Sequence, residues 1–145
     1  MGLDMYLHRV TTDEVGYWRK AHAIFNWIQD HCCNGDTENC RPYEIQKEQL
    51  VELKEICEKV VAASKIVAKP VKVNAYDFDK HEYVVKEVMK NVIEDPAVAK
   101  ELLPEPYGNY DEWYLAQAKS TIPQIANILA ETDFEEEHIE YYAWW

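Results

Sequence analysis

Leu3-Asp4-Met5-Tyr6-Leu7-His8 near one end of the chain and Ile139-Glu140-Tyr141-Tyr142-Ala143-Trp144-Trp145 at the other both alternate in character from residue to residue. Successive side chains of an extended strand point to opposite faces. Leu3, Met5 and Leu7 therefore share one face and Asp4, Tyr6 and His8 the other. Ile139, Tyr141, Ala143 and Trp145 separate in the same way from His138, Glu140, Tyr142 and Trp144. The segments between these two strands carry mostly helical spacing, which predicts an α+β fold: a small antiparallel sheet including the N- and C-terminal strands, covered by three to five helices. With 145 residues and no repeat or flexible linker, residues 1–145 read as a single domain with enough core to fold without disulfides.

Moving inward, Trp18, Ala21, Phe25, Ile28 and Cys32 fall in one arc at 3.6 residues per turn, with Thr11 and Thr12 as capping hydroxyls, so a first helix is predicted over 13–32. Asn34-Gly35-Asp36 ends it. Pro42 to Ile45 is a short strand leading into a second helix over 47–64. Val71, Val73 and Ala75 alternate after Pro70 as an extended segment, and Val84, Val85, Val88, Met89, Val92 and Ile93 have the spacing of a further helix. Asp95-Pro96 opens a short helix that Pro104 stops. Tyr110 to Glu131 is helical, with Pro123 predicted to kink or break it near Lys119 to Thr121.

The formal net charge is −12, unevenly placed. Residues 94–145 hold twelve acids against two bases, a net −10, and the first 93 residues a net −2. Such a C-terminal half disfavours phosphate backbones and anionic membranes as ligands, and reads either as a surface that keeps a small protein soluble or as one that attracts a basic protein partner. No apolar run is long enough for a membrane helix and the start lacks a signal-peptide pattern, so the expected location is the cytoplasm.

No metal-protease, phosphate-loop, nucleophile-elbow or paired-cysteine motif occurs, so no catalytic residue is assigned and no cofactor is expected. Glu135-x-x-His138 matches half of a di-iron motif but lacks a helix and a second copy. His31, Cys32, Cys33 and Cys40 are the weak soft-ligand candidates, opposed by the divergence of neighbouring side chains; no metal is assigned. Arg19, Asn26 and Asp30 line the polar face of the predicted first helix with His22 at its edge, a stripe that reads either as a solvated helix face or as a grip for an anion or polar ligand. Arg19, His22 and Asn26, together with Asp4 and Tyr17, form a candidate ligand-binding set. Glu135, Glu136 and Glu137, with Tyr142 and Trp144 on the second face of the last strand, form a candidate surface for a partner or a second copy, a homodimer. The alternative for those two aromatics is cover by the segment 65–80.

Met1-Gly2-Leu3-Asp4-Met5-Tyr6-Leu7, Glu14-Val15-Gly16-Tyr17-Trp18-Arg19-Lys20-Ala21 with Ile24 and Trp27, and Tyr110-Asp111-Glu112-Trp113-Tyr114 with Thr121-Ile122 resemble a family of small uncharacterised proteins of phages, prophages and their bacterial hosts. The resemblance spans roughly two thirds of the chain. It departs at Gln46, where the family has a capping Ser, and at Ala143-Trp144-Trp145, where it has Ser-Ser-Trp. Residues 65–93 have no counterpart and read as an insertion. The resemblance implies a mobile-element setting, in which small acidic proteins bind and block host machinery. The expected function is a non-enzymatic protein-binding modulator of host or defence machinery; the alternative is a small-ligand binder or minor enzyme with a polar pocket at the first strand and first helix.

Overall fold

The two chain ends meet in one sheet. In the computed structural model, which describes residues 2–9, 13–33, 35 and 41–144, β1 (Asp4–Arg9) pairs antiparallel with β6 (Ile139–Trp144), setting Met5 opposite Ala143 and Leu7 opposite Tyr141. β2 (Asp13–Arg19) pairs with the other edge of β1, and β3 (Tyr43–Ile45) pairs with β6, so the order is β2-β1-β6-β3 with every pair antiparallel. The inner face carries Met5, Leu7, Trp18, Ile45, Ile139, Tyr141 and Ala143, all buried. These join Leu50, Leu53, Cys57 and Val60 of α2 (Lys47–Ala63) and Tyr114, Ala118, Ile125 and Ile128 of α4 (Glu112–Glu131) in one hydrophobic cluster. α1 (His22–Cys32) adds Ile24, Trp27 and Ile28, and the short α3 (Ala97–Leu102) adds Ala99. The mixed α+β architecture with both terminal strands in one sheet is as the alternation predicts.

The first half of one expected helix and the whole of another are strands. Residues 13–19, read as the first half of a helix, form β2, and α1 begins only at His22. Val15, Tyr17 and Trp18 favour extended backbone, and Gly16 sits so close to β1 that a Cβ there would lie 3.1 Å from Leu7 Cδ1. Lys20, at φ 54°, turns the chain from strand to helix. Arg19 therefore stands on a strand, not in the helical stripe with Asn26 and Asp30. The proposed cap Thr11-Thr12 lies outside the described residues.

The second correction falls on 84–93, which forms β5 (Glu82–Ile93) paired along its whole length with β4 (Ile66–Asp77). Four of the six apolar positions are Val and one is Ile, whose branched Cβ favours a strand. The turn is built locally: Asp77 Oδ1 accepts from the backbone N–H of Asp79 at 2.9 Å and of Lys80 at 3.1 Å, and His81 takes φ 53°. The segment read as an insertion is thus a two-stranded ribbon. It joins the body at its base, where Ile93 is buried and donates its N–H to Tyr110 O at 2.9 Å. The expected break at Pro123 does not occur, for α4 continues through it. Pro123 and Lys119 both face solvent, so water can take the carbonyl whose donor is missing.

Candidate functional site

The face of the four-stranded sheet opposite the core carries no helix from the described residues, and the registers place its side chains in rows. Arg19 lies opposite Asp4, which lies opposite Trp144. Tyr17, Tyr6 and Tyr142 form the next row. Beyond a bulge between Leu7 and His8, Glu14, His8, Glu140 and Glu44 form the third. Cross-strand neighbours on one face are the contacting units of a sheet, and the middle row is continuous. The Tyr6 ring stacks on Tyr142 at 5.0 Å and 18° and tilts against Tyr17 at 5.3 Å, while His8 meets Tyr142 edge-on at 5.0 Å. At one margin Tyr17 OH donates to Asp4 Oδ1 at 2.8 Å, with Arg19 Nε at 3.8 Å from the same oxygen. That hydrogen bond, first, and burial, second, raise the Tyr17 phenol above its ordinary value. At the other margin His138 Nδ1 lies 3.3 Å from Glu44 Oε1. Trp144 is 58% exposed and Tyr17 41%, which makes this face an open aromatic strip edged by carboxylates.

Of the ligand-binding candidates, Asp4, Tyr17 and Arg19 are together on this face. His22 and Asn26 are elsewhere. His22 lies edge-on to Tyr107 at 5.0 Å in a cleft of about 280 Å³ between the start of α1, the 103–111 loop and the first turns of α4, lined also by Ile24, Trp113 and Gln117. Asn26 lines a separate groove with Trp27, His31 and Glu101. The acids of the His22 cleft have structural tasks. Glu105 Oε2 accepts from the N–H groups of Tyr107 and Asn109 at 3.0 and 2.7 Å, and Asp111 caps α4 by accepting from Tyr114 N at 3.0 Å.

The partner-binding candidates divide in the same way. Tyr142 and Trp144 are in the aromatic strip. Glu135, Glu136 and Glu137 lie just before β6 in a turn organised by Asp133, whose Oδ1 accepts from Glu135 N at 3.1 Å and whose O accepts from Glu137 N at 2.7 Å. Glu135 and Glu136 are exposed. The ribbon packs on the body at the start of α4, and Trp144 stays open to solvent.

His31 stacks on Trp27 at 4.5 Å and places Nδ1 2.9 Å from Trp27 O, while Cys33 is buried and Cys40 lies outside the described residues. Burial first, then Cys33 and Glu52, pushes the Cys32 thiol up to about 12. Among the described residues no group of three metal-ligating side chains gathers.

Sequence reasoning missed Tyr6, His8, Glu44 and Glu140 as members of the site. The signal was present in the outward half of each alternating strand, but it became a surface only once the strand order was known. Comparison with known protein families, curated proteins and solved structures finds no match for this chain. No helix among the described residues is long and apolar enough to cross a membrane.

Proposed function

We propose that this chain is a non-enzymatic protein-binding protein, a phage- or prophage-type modulator in a bacterial cytoplasm, that takes a basic segment of a host or defence protein on the open face of its four-stranded sheet. The observation that supports this reading is the strip itself: Tyr17, Tyr6 and Tyr142, with Asp4, Arg19 and Trp144 in the row on one side and Glu14, Glu140 and Glu44 in the row on the other. Arg and Lys side chains suit it, since aromatic faces attract a cation and flanking carboxylates take its hydrogen bonds. Aromatic anchors carry most of the energy of such interfaces, and surrounding charges set the rate of encounter.

The test is capture of binding proteins from bacterial lysate, followed by binding kinetics of the captured protein with three versions of the chain. Trp144→Ala should speed dissociation at least about tenfold. Replacing Glu135, Glu136 and Glu137 with Gln should slow association, with less of the wild-type sensitivity to salt, because at about 0.5 M the screening length is near 4 Å. Identical kinetics for all three, with circular dichroism unchanged, would falsify the assignment of this face. A small-ligand binder or minor enzyme is the second reading, favoured by the cleft at His22 and Trp113. With Glu105 and Asp111 engaged in loop and cap, that cleft fits a largely apolar ligand better than a reaction.

A further inference from the structure

The β4–β5 ribbon is chemically unlike the body that carries it. Residues 65–93 hold six lysines against four acids, a net +2 in a chain of net −12. Each strand has twelve residues, so the ribbon is about 40 Å long at roughly 3.3 Å per residue. A lone two-stranded ribbon is at best marginally stable in water.

Residues opposite one another share a face, so the register fixes what each face presents. Above Val67 and Val92 at the base, one face reads towards the tip Lys69 and Lys90, then Val71 and Val88, Val73 and Lys86, Ala75 and Val84, Asp77 and Glu82. Two cations stand towards the base and two carboxylates at the tip, and between them lie valines, one alanine and Lys86. This order is complementary to itself when reversed. A two-fold axis across the ribbon at Val73 sets Lys69 of one copy over Asp77 of the other, Lys90 over Glu82, Val71 over Ala75 and Val88 over Val84. The two Lys86 side chains meet at the axis on the ribbon's margin, where their long stems can carry the charge out to solvent. Lys69 already donates to Glu94 O at 2.9 Å, and an ammonium has further donors to offer. On the opposite face the same operation through the Lys72–Glu87 row sets Lys72 against Lys72 and Glu87 against Glu87 and brings no acid over a base at either end.

We propose that the β4–β5 arm is a dimerisation device: two copies of the chain pack their arms face to face and antiparallel, tip to base, through the Val71, Val73, Ala75, Val84 and Val88 face with Lys69–Asp77 and Lys90–Glu82 pairs at both ends. The interface is isologous, each patch serving both copies. The face measures roughly 30 by 10 Å, well below the roughly 800 Å² per partner of a standard stable complex, so the dimer is weak and forms at micromolar concentrations or above. This inference is independent of the sheet-face reading, because it uses no residue of that face.

The experiment is sedimentation of the full chain from about 10 µM to about 1 mM, a range that spans weak association. Wild type should shift from monomer to dimer across it. Lys90→Glu alone places two acids together at each end of the interface, and Glu82→Lys alone places two lysines there. Each variant by itself should dimerise at least about tenfold more weakly. Mixed in equal amounts, the two variants should recover association, because each of the two ends again holds one acid and one base. Recovery on mixing also shows that both variants are folded. A wild-type chain that stays monomeric to about 1 mM overturns the proposal. So does a dimer that either variant leaves unchanged, or a mixture that associates no better than its components.

Discussion

Thr121 is fully buried, and its hydroxyl has two tasks: it accepts from Trp18 Nε1 at 2.8 Å and donates to Gln117 O at 2.7 Å. Thr121→Val keeps the shape but leaves the indole N–H buried without a partner, which should cost about 1–3 kcal/mol in chemical denaturation, while Thr121→Ser should lose less. Tyr141 is the opposite case. Its hydroxyl is buried with no hydrogen-bond partner among the described residues, so Tyr141→Phe should leave stability equal or raise it by about 1 kcal/mol. A clear loss in that variant would mean that the hydroxyl is satisfied after all. Trp18 as core was legible from its apolar spacing, although it reaches the core from a strand rather than a helix. Thr121 as its partner was not legible, because the bond joins residues 103 apart in sequence.

At the scale of elements, what could be read depended on whether a segment's partner was nearby. β1, β6 and α2 were recognisable because each carries its own periodicity and buries one face. β2 was not, since Trp18 begins an arc that continues plausibly into Ala21, Phe25 and Ile28, and only pairing with β1 decides for the strand. β5 was ambiguous for a similar reason: its valines satisfy a helical stripe, while Val84, Val88 and Val92 also satisfy a strand, and β4 makes the choice. The sheet face followed from neither strand alone. The junction after β2 carries a measurable strain, because Lys20 has φ 54°, where side chains other than Gly cost about 1–2 kcal/mol. Lys20→Gly should therefore raise stability by up to about 1 kcal/mol despite the greater freedom of its unfolded chain, and Lys20→Val should lower it. Thermal unfolding of the two variants reads the sign directly.

For the whole molecule, charge was the property most completely available beforehand, yet its meaning changed with the fold: an acidic body carries a ribbon of the opposite sign. The interior has a second electrostatic consequence, at high pH. Cys57 is fully buried, and burial first, then Glu58, pushes its thiol from 9.0 up to about 12. The protonated thiol is favoured in the folded state, so its contribution is complete below pH 9 and is lost as pH rises from there towards 12, where the unfolded chain gains from ionising first. Burial raises Tyr114 and Tyr141 as well, so their contributions start to fall above 10.0, their ordinary value. Between pH 9 and 10 the thiols therefore act ahead of the phenols, and Cys57 should remove stability at up to about 1.4 kcal/mol per pH unit. Cys57→Val keeps the volume and has no proton to lose, so it should cost less than about 1.5 kcal/mol at neutral pH. In urea titrations at pH 8, 9 and 10, wild-type stability should fall across the upper interval and the Cys57→Val chain should fall less steeply. Parallel declines in the two proteins would show that Cys57 does not drive the alkaline loss and that Cys32, the phenols or the growing negative charge of the body carry it instead.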